Sequence, residues 1–367
     1  MPITTGRSTK ELADAVADLK RQCTDADPRV VIFFGSARYE AAALSRQMRE
    51  AFPGACTVGC STAGEIAAGE MLTGSVVAMF LGRDVVAEAA CVAVEKIGAG
   101  LQVQPALRTL ERHFAAPLAS LAIDEYVGVV LADGLSGAEE RLMEQLGDAA
   151  DVFFVGGSAG DDLKFQRTHV FENGNCYTDA AVLLLLRLPR GFEIVKTQSF
   201  RPTGKVLVAT KVDQARRKVI EFDHRPALDA YAAALGVNPE DAAAQFFQHP
   251  LGLMANGEPF VRSPQHVEDG SIVFYCQVKQ GMELALLEAT DIVADTRAAI
   301  EAKMAQWGPI AGLIDFQCIL RTLQLRNEKR CSEYGKIFSG MTMAGFSTYG
   351  EAYLGHINQT STILMFR

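Results

Sequence analysis

A chain of 367 residues with 49% hydrophobic, 22% charged and 8% aromatic side chains has the make-up of a globular protein, which excludes wholesale disorder. Its 35 basic and 44 acidic residues leave a formal charge of −9, against broad sequence-blind nucleic-acid binding and a polybasic membrane anchor. Length predicts two or three domains, and chains of this size bury roughly 75% of their unfolded surface without needing metal or disulfide staples.

At the N-terminus, Ser8-Thr9-Lys10-Glu11 reads as a capping box before a helix with Leu12, Val16 and Leu19 on one face. Residues 1–27 are therefore expected to be an N-terminal helix, not a signal peptide. The most apolar run, Ala180 to Leu186, ends at Arg187, far short of the roughly 20 residues a membrane helix needs. Eight cysteines (23, 56, 60, 91, 176, 276, 318 and 331) show no C-x-x-C spacing. They are expected to be reduced core thiols of a cytoplasmic protein, not a disulfide frame or a zinc site.

An internal repeat organises the chain. In its first copy the run Val30 to Phe34 ends at Gly35-Ser36, a helix follows from about Glu40 to Ala51, and Pro53-Gly54 stops it. A strand from Cys56 enters Gly59-Cys60-Ser61-Thr62-Ala63-Gly64-Glu65, and Val76 to Phe80 closes the copy. The second copy runs from Tyr126 to Leu131, through a helix with Leu142 and Leu146, to Val152-Phe153-Phe154-Val155 and Gly156-Gly157-Ser158-Ala159-Gly160-Asp161. Its Asn173-Gly174 turn is a hairpin signal. The third begins at Leu313 and ends with Gly345-Phe346-Ser347-Thr348-Tyr349-Gly350-Glu351 and the strand Thr360 to Phe366.

Crossover plus hairpin in one unit predicts mixed sheets covered by helices, a mixed α/β (α+β) class. The stretch 200–305 reads as a fourth, more divergent unit, with a hairpin around Asp213 to Lys218 and helices opened by Pro226 and by Asn238-Pro239-Glu240. The chain then divides near Pro202-Thr203-Gly204 into domains 28–198 and 199–367, with about two units each.

The glycine elbows invite two readings. Gly59, Ser61, Thr62, Gly64 and Glu65, with Gly345, Ser347, Thr348, Gly350 and Glu351, offer amides, hydroxyls and carboxylates for a small polar ligand. Recurrence in separate units favours instead a requirement of the fold: tight turns, with Ser/Thr serving local amides. Gly156-Gly157-Ser158-Ala159-Gly160 also matches the hydrolase nucleophile elbow, whose chemistry needs a helix directly after the serine. Here a strand pattern follows, so a serine hydrolase at Ser158 is the minor alternative to a non-enzyme. Among six histidines, His224 before Arg225-Pro226 and His249 beside Phe246, Phe247 and Pro250 are the two with contexts suited to a b-type haem's axial imidazole. Each is otherwise a surface or satisfied core residue.

The chain resembles the FIST family. Val30 to Glu65, above all Val58 to Glu65, resembles the start of the FIST N-terminal domain. The markers of the C-terminal domain are Pro226-Ala227-Leu228, Tyr231, Leu235-Gly236, Pro250-Leu251-Gly252 and the closing Gly345 to Glu351 with His356 and Asn358-Gln359-Thr360. The resemblance implies a cytoplasmic sensory protein that binds a small ligand. It resembles most a subset of nitric-oxide sensors that hold haem b and regulate a histidine kinase or a cyclic-di-GMP enzyme. A haem-free sensor of an amino acid or similar metabolite is the alternative. Expected partners are thus a gas or small molecule and a signalling enzyme, with homodimerisation left open and neither nucleic acid nor membrane involved.

Overall fold

In a computed structural model that describes residues 3–24 and 27–367, the strands Val30–Ser36 and Cys56–Thr62 run parallel, joined by the helix Ala41–Ala51. Both strands are almost entirely buried, which is why they read as unbroken apolar runs instead of alternating ones. The helix turns Leu44, Ser45 and Met48 inward, and the Glu40 carboxylate caps it by accepting from Ala42 N (3.0 Å) and Ala43 N (2.6 Å). The second repeat pairs Tyr126–Ala132 with Phe153–Ser158 across the helix Glu139–Ala149. The third pairs Gly312–Cys318 with Met343–Thr348 across Ile319–Asn327 and Cys331–Ile337. Antiparallel closing strands, Val76–Leu81, Ala180–Arg187 and Thr360–Phe366, lie against the first strand of each repeat.

Each repeat starts earlier than its sequence suggests. The strands Ile3–Ser8, Glu88–Glu95 and Phe192–Gln198 flank the three closing strands as sheet edges. Each is followed by a helix before the apolar run begins: Leu12–Gln22, Gln104–Phe114 and Ile292–Trp307. The stretch 1–27 is therefore not a helix alone. Ser8 ends an edge strand, and Glu11 holds the N-cap position without a side-chain bond. The hydroxyl of Ser8 instead donates to Asp18 (3.0 Å) and accepts from Lys10 N (3.3 Å). Residues 1, 2, 25 and 26 of that stretch lie outside the described residues.

The hairpins are exchanged around a ring. After its elbow, the first repeat's hairpin (Glu65–Ala67, Glu70–Leu72) joins the third repeat's sheet, pairing Glu65 with Phe346. The third repeat's strand Glu351–Tyr353 joins the second, pairing Glu351 with Gly157. The second repeat's hairpin (Val170–Glu172, Asn175–Tyr177) joins the first, pairing Val170 with Cys60. Each sheet thus has six strands in one common order: edge, closing, first, elbow strand and two borrowed strands. Three repeats share one apolar core, in which Phe34 stacks on Phe346 at 4.5 Å and meets Phe316 edge-on.

Two compact units result: residues 1–196 with 297–356 and 361–367, and residues 197–296 with 357–360. All three repeats lie in the first unit, not two in each half. The chain leaves this unit near the expected 195–205 and returns near 296, so that the second unit interrupts the third repeat between its edge strand and its first helix, and residues 357–360 rejoin the second unit. Nor is 200–305 a fourth copy. Its main sheet is built from antiparallel neighbours, with Phe200–Asp213 between Lys218–Phe222 and Glu283–Ala289. The helix Ala227–Leu235 packs Ala227, Tyr231 and Ala232 into a core with Phe222, Leu251, Phe274 and Leu286.

The cysteines also depart from expectation. Cys56 and Cys91 pair as a disulfide between Cys56–Thr62 and Glu88–Glu95, where both line the shared core, and among the described residues no other cysteine is part of a disulfide. Among the described residues, no helix is long and apolar enough to cross a membrane.

Candidate functional site

The elbows converge on one another. Ser347 N donates to Gly64 O (2.7 Å), Ser158 N to Gly350 O (2.8 Å) and Ser61 N to His169 O (2.9 Å). In return Ala63 N donates to Ser347 O (3.2 Å), Tyr349 N to Ser158 O (3.1 Å) and Gly160 N to Ser61 O (2.9 Å). This pinwheel takes up backbone groups of all three elbows. Ser61, Thr62, Glu65, Ser347, Thr348 and Glu351 are all buried. Thr348 Oγ1 donates to Glu351 (2.6 Å), Thr62 Oγ1 to Glu65, and Ser347 Oγ shares a bond with Thr322 (2.8 Å). Gly64 alone of the motif glycines has positive φ, at 133°. A Cβ at Gly59 or Gly345 would stand 2.2 or 2.4 Å from the carbonyl oxygen of Phe33 or Asp315 on the parallel partner strand, and one at Gly350 would strike the His356 ring. Ser158 is buried, and no helix follows it in the stretch 159–169.

The three-fold pattern breaks at one place. From the first elbow glycine, the borrowed strand begins six residues on in the first and third repeats (Gly59 to Glu65, Gly345 to Glu351) but fourteen on in the second (Gly156 to Val170). The extra residues form a loop over the first repeat. There it closes a cavity of about 300 Å³ lined by Gly35, Ser36, Tyr39, Glu40, Leu44 and Ser61, with Lys164, Gln166, Arg167, His169 and Phe171. The cavity lies at the carboxyl ends of the parallel strands Val30–Ser36 and Cys56–Thr62, where open α/β sheets place their ligands.

Asp161 holds the loop in shape. Its carboxylate accepts from Phe165 N (2.8 Å), Gln166 N (2.6 Å), Arg167 N (2.9 Å) and the Tyr349 hydroxyl (2.5 Å). These bonds outweigh partial burial and keep its pKa below the usual value. Phe165 stacks on Tyr349 at 4.8 Å, and Ser36 Oγ donates to Asp162 (2.8 Å). Asp162, Leu163 and Phe165 all adopt positive φ, at 55°, 65° and 51°. Three such residues in one loop cost of order 1–3 kcal/mol each and persist only where the surroundings over-determine them, as they do here. Burial, followed by the charge of Arg167, pushes the His169 pKa down, so its ring stays neutral near pH 7.

Sequence reading pointed to the elbows and passed over this loop. The available signal was the unequal elbow-to-hairpin spacing, since insertions in one repeat tend to carry function. The two haem candidates belong to the second unit. His224 is exposed at φ 60° in a turn between Asp223 and Arg225. His249 is half-buried, its Nδ1 lies 3.1 Å from Leu287 O, and its carbonyl accepts from Tyr231. Such a bond fixes the ring and leaves Nε2 free, which is the orientation of a metal-ligating imidazole. Among the described residues, no group of three or more His, Cys, Asp or Glu could hold a metal ion.

The FIST N domain matches residues 29–225 and the FIST C domain matches residues 227–353. An uncharacterized protein of Methanocaldococcus jannaschii is 25% identical over 194 residues, 48% of this chain and 37% of that protein. The chain therefore spans little more than a third of that relative's length. FIST domains are associated with sensory and signal-transduction functions. Built from both of its domains, the chain belongs to the FIST family.

Proposed function

We propose that this protein is a non-catalytic sensor whose receptor site is the cavity beneath the loop 161–169. The observation that carries this reading is the insertion itself: one repeat of three departs from the common pattern, and the added residues roof a pocket at parallel strand ends. The elbow residues then act as the frame beneath the ligand, with Ser61 and Asp161 among the residues that line the cavity. Ligand binding would shift the loop through Tyr349 and Asp161, and so reach the hub that all repeats share. A sensor transmits only what it binds differently in two states. The family resemblance supports a histidine kinase or cyclic-di-GMP enzyme as the receiver, in the cytoplasm.

A thermal-shift screen of small polar metabolites tests the site. A ligand at about 100 times its Kd stabilises by about 2.7 kcal/mol, which raises the Tm of a chain this long by roughly 3–4 °C. Ala37 lines the cavity, and Ala37→Trp is expected to abolish every such shift by filling it. Hits indifferent to Ala37→Trp, or a flat screen, would remove the cavity as receptor site.

The orientation of His249 favours a second reading, a b-type haem on its Nε2, where the iron would supply gas binding. Purification with haem present is expected to give a Soret band that His249→Ala abolishes and His224→Ala leaves intact. A colourless protein ends this reading without touching the first.

A further inference from the structure

The cavity's acids are already occupied, while its basic and amide side chains are not. Glu40 is committed to the helix amides of Ala42 and Ala43, Asp161 to three loop amides and Tyr349, and Asp162 to Ser36. Among the described residues, no side-chain hydrogen bond or ion pair engages Lys164 Nζ, the Arg167 guanidinium, the Gln166 amide or the His169 ring. All four belong to the inserted loop and all line the cavity. Lys164, Gln166 and Arg167 are exposed at its mouth, whereas His169, Leu44 and Phe171 lie deeper.

Resting on the receptor site proposed above, we infer that the cavity takes a small organic anion, its carboxylate or phosphate group held by Lys164 and Arg167. Gln166 and His169 read the remaining oxygens, and a short apolar body lies against Leu44 and Phe171. A guanidinium fork matches either head group in two parallel bonds, and an ammonium beside it adds a point charge. A cationic guest would meet like charge from both side chains, and a neutral one would offer them no countercharge. Its volume is at the small end of ligand pockets, so the guest is metabolite-sized.

Calorimetric titration of the full chain with glutarate, citrate, glycerol 3-phosphate and inorganic phosphate tests this, with glutaramide and cadaverine as neutral and cationic controls. At least one anion is expected to bind, at least tenfold more weakly at 300 mM than at 50 mM salt. Arg167→Gln and Lys164→Gln should each weaken it tenfold or more without changing the unfolding temperature, and Arg167→Lys should restore part of the loss. Binding confined to carboxylates, or to phosphates, assigns the head group and supports the inference in either case. Anion binding indifferent to both substitutions overturns it. So does Ala37→Trp-sensitive binding of neutral or cationic compounds alone, which leaves the receptor site standing. If nothing binds in a manner sensitive to Ala37→Trp, the site and the inference fall together.

Discussion

Gly156→Ala is expected to destabilise the protein by at least about 4 kcal/mol, enough to leave most of it unfolded or insoluble. A Cβ at this position would stand 1.8 Å from the carbonyl oxygen of Val130, the residue it faces across the parallel pair. That oxygen belongs to a strand held on both sides, by Phe153–Ser158 and by Ala180–Arg187, so it does not swing away as a side chain does. Ordinary overpacking costs 1–3 kcal/mol because side chains and backbone relax together. A backbone clash inside a central ladder falls in the rare class above 4. Gly147 is the internal control. It lies in the helix Glu139–Ala149, and no atom comes within 4 Å of its added Cβ. Gly147→Ala is expected to stabilise by up to about 1 kcal/mol, the helix-propensity difference. Urea unfolding of both variants decides; an alanine at 156 within 1 kcal/mol of the parent would show that the ladder yields. The same close approach at Gly59 and Gly345 explains why this glycine recurs in every repeat.

Much of the fold was legible because each repeat announces itself twice, by a buried apolar run and by a glycine elbow. Asn173 and Gly174 show how direct this can be: the hairpin signal corresponds to φ values of 47° and 90°. What stayed hidden has physical causes. The strand Ile3–Ser8 contains Thr4, Thr5, Gly6 and Arg7, so no apolar run marks it, and its pairing with Val76–Leu81 is long-range. Hairpin exchange leaves no local trace, since Glu65–Ala67 has the same sequence whichever sheet it joins. The inserted unit resembled a fourth copy because strand and helix signals follow one another there too. Periodicity reports elements, not which of them pair in parallel. At the site, Ser61 was legible as part of a motif. Lys164, Gln166, Arg167 and His169 were not, because only the folded loop gathers them over a cavity whose floor is more than a hundred residues away in sequence.

The second large effect is a dependence of stability on pH through Glu65. This side chain is buried beneath the hub, where it accepts from Thr62, from Ser75 N (3.0 Å) and from Ser75 Oγ (2.5 Å). Burial pushes its pKa from 4.5 up to about 7, against the opposing pull of those hydrogen bonds. Between pH 4.5 and 7 the folded protein therefore keeps a proton that the unfolded chain has released. Stability is full below about pH 4.5, falls by about 3 kcal/mol as pH rises to 7, and then levels off. Asp315, fully buried with Tyr334 and Ser361 as donors, has its pKa raised to about 6 and adds a decline of the same sign at slightly lower pH. The depressed pKa of Asp161 acts below pH 4, outside this window. Glu65→Gln isolates the first contribution, because a glutamine oxygen still accepts from Ser75 while its amide donates to Thr62, as the protonated acid does. Urea unfolding of parent and variant from pH 4.5 to 8 should show the difference between them moving by about 3 kcal/mol in favour of glutamine. A difference that does not change with pH would mean that Glu65 is ionised in the hub. The frame beneath the loop would then be an anionic one, and the electrostatic setting of the cavity above it would have to be redrawn.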